Sequence, residues 1–331
     1  DARLSRGLGD VYKRQILRLI TENRRISRSK FTKAFLFASI IFAPFVANAV
    51  TVASWGGAYT ESQQKAYADT YSDPSSIVFE NYNGGLGEVR AQVESGSVTW
   101  DLVDVLPSDA ITGCDEGLFE DISSEIASMG VPGPNGESIA EDMENNGLEY
   151  HSGWDCCVPQ IFWTYVVFYD PDAFPGEKPD SMADFFDTEK FPGKRGIHTW
   201  STGIIEKAMI ADGVKPSAVP TVLANQTGAI DRAFEVMDRI KDDVVFWSAG
   251  SQPLELIKSG EVVMAVAYNG RVGAANLAEG ENFEYIWEGQ VLDQEYLCLT
   301  AGAPNRDAAI DFMMHASTPE AQAEQAKYIT Y

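Results

Sequence analysis

Tryptophan and tyrosine recur in this chain beside short polar stretches that carry acids, amides and an arginine, a residue mix suited to holding a small organic ion. An ammonium group that leaves water needs aromatic faces and carboxylates around it. A cation over a desolvated ring gains about 2 kcal/mol, and a charge-assisted hydrogen bond about 1.5–3 kcal/mol. Micromolar affinity takes about 8 kcal/mol, so several such contacts must act together. The candidates are Trp55 and Tyr59 flanking Gly56-Gly57, Ser108 and Asp109 after an apolar run, Trp200 with Ser201, Trp247, Tyr268 with Asn269, and Asp293. Arg271 points to a second kind of partner, because a guanidinium stays charged and grips a carboxylate with a fork of donors. If it faces the same site, the solute carries a carboxylate as well as, or instead of, an amine. The plainer alternatives are core packing for the aromatics, helix capping for Ser108 and Asp109, and a structural ion pair for Arg271.

Other chemistries find no footing. Asn83-Gly-Gly-Leu-Gly87 lacks the glycine spacing of a dinucleotide fingerprint and reads as a turn. His151, His198 and His315 lie far apart, and His151 with Asp155, Cys156 and Cys157 does not have the spacing of a zinc site. No serine sits in a nucleophile-elbow sequence. The sequence therefore predicts no cofactor and no enzymatic activity.

The elements that must position these residues follow from periodicity and turn signals. Strands are expected at 50–55, 77–82 and 101–106, with helices at 60–71 and 87–94 between them. Strands alternating with helices at this spacing give βαβ units and a mainly parallel sheet, and ligands then lie beyond the carboxyl ends of the strands. Trp55, Tyr82 and Ser108 fall at such ends. Residues 131–155, rich in Gly, Pro, Asn and acids, read as a surface loop. The aromatic and β-branched run 161–169 is a buried strand that carries the chain into a second lobe. That lobe has a strand at 196–200, helices at 202–211, 227–241 and 253–259, and a strand at 262–268 that returns to the first. Strands near 283–287 and 295–300 and helices at 306–316 and 319–328 finish the chain.

The N-terminus bounds the location. Residues 16–33 are basic, 34–46 are apolar and uncharged, and Ala47-Asn48-Ala49 follows, the pattern of a secretory signal cleaved after Ala49. The apolar stretch is shorter than the roughly 20 residues of a spanning helix, so the protein is expected in the periplasm. Residues 1–15 fit no signal and resemble translated vector sequence.

The first 49 residues hold 10 of the 25 basic and 3 of the 49 acidic residues, which leaves 15 and 46 and a net charge of about −31 on the rest. Such a chain is repelled by nucleic acid and anionic lipid. About 280 residues suffice for two domains with real cores. The four cysteines of an exported chain suggest disulfides. A bridge between Cys156 and Cys157 would be strained, so Cys114 is expected to pair with one of them; free thiols are the alternative.

Five segments in register resemble one family: 52–60 (Val-Ala-Ser-Trp-Gly-Gly-Ala-Tyr-Thr), 100–105 (Trp-Asp-Leu-Val-Asp-Val), 242–253 around Phe246-Trp247, 260–271 ending Tyr-Asn-Gly-Arg, and 303–309 with 317–322. The sequence is similar to spermidine/putrescine-type periplasmic solute-binding proteins of ABC transporters. The resemblance implies an α/β, two-lobe periplasmic binding protein fold (type II), with a ligand between the lobes, crossover hinge strands and docking on a permease pair in the membrane. It places 50–160 with 270–316 in lobe 1 and 161–269 with 317–331 in lobe 2, of a monomer whose family members continue further at the C-terminus. The expected solute is a polyamine such as putrescine or spermidine, or an amino-acid derivative. A metal-binding protein of the same architecture and a secreted hydrolase are the alternatives.

Overall fold

A computed structural model describes residues 49–128, 155–201 and 203–331. The expected signal segment, the loop 131–154 and His151 lie outside them, as does Thr202.

In chain order the first half contains β1 (Val50–Ser54), α1 (Gly57–Gln63), β2 (Ile77–Asn81), α2 (Gly87–Ser95), β3 (Leu102–Val105), α3 (Pro107–Asp115), α4 (Ser123–Ser128) and β4 (Cys157–Tyr169). There follow α5 (Met182–Phe185), β5 (Arg195–His198), α6 (Ile204–Ala211), α7 (Val219–Asn225), α8 (Ala229–Asp238), β6 (Val244–Trp247) and α9 (Gln252–Lys258). The chain ends with β7 (Met264–Tyr268), α10 (Asn269–Ala274), β8 (Glu284–Leu299), α11 (Arg306–Ala316) and α12 (Pro319–Gln325).

The strands join in the order β2-β1-β3-β8-β4-β7-β5-β6. β1 pairs in parallel with β2 and β3, and β5 with β6 and β7. Between these two parallel wings run β8 and β4, antiparallel to each other and to their outer neighbours. Each wing with its helices is a lobe, and the two long strands cross from one to the other.

Both faces of each wing are covered, as parallel strands require. Val52 and Leu102 point into a core closed by Ala309, Phe312 and Met313 of α11. Their neighbours Ala53 and Val103 point the other way, into a core with Tyr82, Leu118 and Phe119. In the second lobe Val167, Ile197 and Val266 meet α6 and α8 through Ala208, Ala233 and Val236, while Phe168 and Ala267 lie on the opposite face with Val272. The acid just before β3 has a structural task. Asp101 is fully buried and accepts from the main-chain N–H groups of Thr51 (2.9 Å) and Asn305 (2.8 Å), tying β1 and the entry of α11 to β3.

Several sequence expectations are corrected. The two strands expected near 283–287 and 295–300 are one, β8. Its polar middle reads as a loop, but pairing on β4 holds it extended and Gly289, at φ 67°, absorbs a register irregularity. The single helix at 227–241 is the shorter α8, preceded by α7, and β6 was not foreseen. Residues 270–316 do not belong to the first lobe alone: Val272 and Ala275 pack with Phe168, and 284–291 pair with the distal half of β4. Most of residues 317–331, assigned to lobe 2, pack instead on lobe 1, while Tyr331 also meets the core of the second lobe. Ala321 enters the core with Ala66 and Tyr67, and the Gln325 amide donates to Ser62 Oγ at 3.1 Å. No helix of the described residues is long and apolar enough to cross a membrane.

Cys114 pairs with Cys156, as one of the two expected pairings, and Cys157 pairs with Cys298, its direct partner across β4 and β8. With separations of 42 and 141 residues, the chain-entropy model assigns the bridges about 4 and about 5 kcal/mol when each is taken alone. Alkylation without reduction should therefore label no cysteine, and Cys114→Ser or Cys157→Ser should lower the free energy of chemical unfolding by amounts of that order.

Candidate ligand-binding site

A cavity of about 540 Å³, open solvent included, lies where the carboxyl ends of the parallel strands of both lobes face the crossover strands. From the first lobe it receives Trp55 and Tyr59 after β1 and Tyr82 and Asn83 after β2. From the second come His198 and Trp200 at the end of β5, Ser248 and Gly250 after β6, and Tyr268 and Arg271 at the end of β7. The floor is made by Ile161 and Trp163 of β4 and Glu295 of β8, and Tyr331 closes one side.

The aromatic wall is continuous. The Trp55 ring lies 5.0 Å from Tyr82 and 6.4 Å from Trp200 of the other lobe, while Tyr268 lies 5.1 Å from Trp163. The sequence allows the first contact because residue 84 has no side chain: a Cβ on Gly84, at φ 80°, would come within 2.6 Å of the Trp55 ring. The Trp55 indole N–H donates to Glu295 Oε1 at 2.5 Å. Behind it, Gly56 N–H donates to Thr60 Oγ1, Thr60 to Ser54 Oγ, and Ser54 to Gln63 Oε1, while the Gln63 amide donates to Asp104 Oδ2.

Arg271 reaches from α10 to the first lobe. It donates through Nη1 to Gly56 O (3.0 Å) and through Nη2 to Trp55 O (3.1 Å). Gly57 permits this approach, since a Cβ there would stand 2.7 Å from Nη1. The guanidinium is buried, its Nε has no protein partner, and among the described residues no carboxylate pairs with it. The sequence alternative of a structural ion pair is thus not what the described residues show.

The sequence profile of the bacterial extracellular solute-binding protein family matches residues 63–331. The chain belongs to this family. A gamma-aminobutyric acid-binding protein of Pseudomonas aeruginosa is 35% identical over 305 residues, 91% of this chain and 82% of that protein. The PBP AgtB from A. tumefaciens R10 in complex with agropinic acid is 29% identical with a TM-score of 0.71, covering 86% of this chain and 82% of its own. The Atu4243-GABA receptor is 32% identical with a TM-score of 0.65, covering 85% and 81%. The fold is the two-lobe α/β architecture of periplasmic binding proteins. None of these three relatives is named for a polyamine, and the resemblance drawn from sequence is shown at the level of the solute-binding family.

Of the sequence candidates, Trp55, Tyr59, Trp200, Tyr268 and Arg271 line the cavity. Asp293 lies in an adjoining recess of about 400 Å³ that shares Trp163, His198, Trp200 and Tyr268 with it. Ser108, Asp109, Ser201, Trp247 and Asn269 do not line it. Ser108 is exposed in the first turn of α3, where its carbonyl accepts from Thr112 Oγ1, and Asp109 sits beside it. Ser201 is exposed. Trp247 is inside the second lobe, one layer behind the wall, 4.2 Å from the His198 ring. The Asn269 amide is committed to the backbone, accepting from Thr164 N–H (2.7 Å) and donating to Thr330 O (2.6 Å).

Sequence reading passed over Asn83, Trp163, His198, Ser248, Glu295 and Tyr331 as site residues. Tyr82 and Asn83 were within reach, since they follow β2 as Trp55 follows β1. Trp163 and Glu295 sit mid-strand and are indistinguishable from core by pattern alone.

Charge in the wall is set by burial. Desolvation pushes the Glu295 carboxyl well above the usual range; nearby Asp104 adds to this and the Trp55 N–H opposes it. Asp104 is pushed up to about 7 by burial, against the Gln63 hydrogen bond. His198 is lowered to about 4 by burial, and its Nδ1 accepts from Trp200 N–H at 2.8 Å, so the neutral ring carries its proton on Nε2. It supplies no cation near neutrality.

Gly84→Ala tests the wall. Gly84 and Gly85 share a left-handed backbone, but a Cβ on Gly85 meets nothing within 4 Å. Both alanine variants should lose about 1–2 kcal/mol of stability to the backbone, and only Gly84→Ala should add a change in the near-ultraviolet circular dichroism as Trp55 is displaced.

Proposed function

We propose that this chain is the solute-binding component of an ABC importer, which captures a small carboxylate-bearing amino-acid derivative outside the cytoplasm and delivers it to a permease pair. The observation that carries the reading is Arg271. A buried guanidinium is costly unless paired, and this one, bonded to two main-chain carbonyls and the Tyr331 hydroxyl with its Nε open, retains donors for an arriving carboxylate. The rings of Trp55, Tyr82, Trp163 and Tyr268 exclude water around it, which strengthens the charge-assisted bonds.

The same guanidinium couples binding to closure. It leaves the second lobe and ends on carbonyls of the first, so a carboxylate at this point would hold both lobes at once. Relatives named for gamma-aminobutyric acid and in complex with agropinic acid are bound to acids, which favours an amino-acid derivative. A bare diamine such as putrescine would set a cation against Arg271 with no carboxylate to offset it.

Isothermal titration with ω-amino acids, opine-type compounds, putrescine and spermidine tests the reading. Carboxylate-bearing members should bind at micromolar levels or tighter, and Arg271→Gln should weaken them by about 10- to 100-fold, the loss of one charge-assisted contact. Tight binding of putrescine, with the amino acids ignored and Arg271→Gln without effect, would refute it.

A further inference from the structure

Glu295 has no role in the reading above. It is 4% exposed, lines the same cavity as Arg271, and stands on β8 directly opposite Ile161 in the floor. A carboxylate there is conspicuous for what surrounds it: the donors acting on it are the indoles of Trp55 and Trp163, no cation is among the groups acting on it, and the charged groups that are, Asp104 and Asp293, are acids. Asp104 has a structural explanation in its Gln63 hydrogen bond. Glu295 does not, because accepting the Trp55 N–H is a task a glutamine would perform without the cost of a second buried acid.

We propose that Glu295 is the acceptor for an ammonium group of the solute, so that the ligands of this cavity are zwitterions with the carboxylate toward Arg271 and the ammonium toward Glu295. The inference rests on the reading of the cavity as a site for a carboxylate-bearing solute. The Trp55 hydrogen bond fixes one carboxylate oxygen and sets the indole and the neighbouring Tyr82 ring as faces for the same cation. A solute with both charges satisfies a buried guanidinium and a buried carboxyl that the protein leaves unpaired with each other.

Proton linkage follows. Facing Glu295 are the acids Asp104 on β3 and Asp293 on its own strand, and the phenols Tyr59, Tyr82, Tyr268, Tyr296 and Tyr331. Burial raises every one of these phenols, so they stay neutral across the physiological range and the two acids Glu295 and Asp104 hold the exchangeable proton as a pair. The empty site keeps that proton, and an ammonium that binds the ionised carboxylate releases it. Affinity for a zwitterion should therefore rise with pH, by up to about tenfold per unit, until the raised titration range of the empty site is passed.

The test compares wild type, Glu295→Gln and Arg271→Gln by titration calorimetry with ω-amino acids of three to six carbons, the matching acids without the amine, and the matching amines without the acid. Wild type should prefer the amino acid over its des-amino partner by about tenfold or more. Glu295→Gln should erase that preference and flatten the pH dependence while leaving the des-amino acids bound as before. Equal wild-type binding of the amino acid and its des-amino partner overturns the role of Glu295 and leaves the carboxylate reading standing. Equal weakening of every compound by Glu295→Gln assigns it to Trp55 positioning and also overturns the proposal. Binding of the simple amines in a Glu295-dependent manner, with Arg271→Gln silent, keeps Glu295 and overturns the carboxylate reading. No binding by any compound overturns both.

Discussion

Two parallel half-sheets face the same problem at their inner edges: each ends in a strand with unpaired N–H and C=O groups. The antiparallel pairing of β4 with β8 solves it for both at once, since β8 borders the first wing through β3, β4 borders the second through β7, and the two long strands pair with each other along their length. Every other feature is placed by that ladder. The strand ends of the two lobes converge on its face, and the cavity floor is the stretch where the crossing occurs. The cross-ladder disulfide Cys157–Cys298 pins it within the first lobe. The structure thus gains one rigid joint and leaves the lobes otherwise free to meet through side chains.

Within this frame the interior treats charge in two ways. Arg195 is fully buried yet complete, because its guanidinium donates to the carbonyls of Phe185, Asp187, Gly193 and Phe191 and needs no acid. Arg271 is held by two carbonyls and the Tyr331 hydroxyl with its Nε open, and Glu295 by the indoles of Trp55 and Trp163, with no opposite charge on either. Saturation marks the first as scaffold. Incomplete satisfaction, on opposite signs in one cavity, marks the other two as waiting for a partner. In a chain with so large an acidic excess, a buried cation without an acidic partner is informative.

Much of this was legible from residue order. The alternation of apolar runs and turn signals located β1, β2, β3 and both final helices, because local periodicity and the Gly, Pro and Thr at their ends fix them. β8 escaped because its extension comes from β4, more than a hundred residues earlier, and not from its own Glu-Gly-Gln-Val-Leu-Asp composition. At the site, the strand-end rule found Trp55, Trp200, Tyr268 and Arg271. It erred on Trp247 by parity: in β6 the exposed side chain is Phe246, and its neighbour faces inward. It could not find Glu295 or Trp163, whose exposure to a cavity depends on a second lobe that local pattern does not describe. The rings alone do not separate a polyamine from an amino acid, since aromatic boxes serve both, and only the surroundings of Arg271 bear on the choice.

The strand order has a consequence for the chain as it is made. β8 lies between β3 and β4, and α11 and α12 cover the core that β1 and β2 begin. The lobe that starts first is therefore the last to be finished, and its opening strands must wait for residues some two hundred positions later. Such long-range closure is slow and resists premature compaction. A polypeptide with this topology keeps the core of its first lobe open until it is nearly whole.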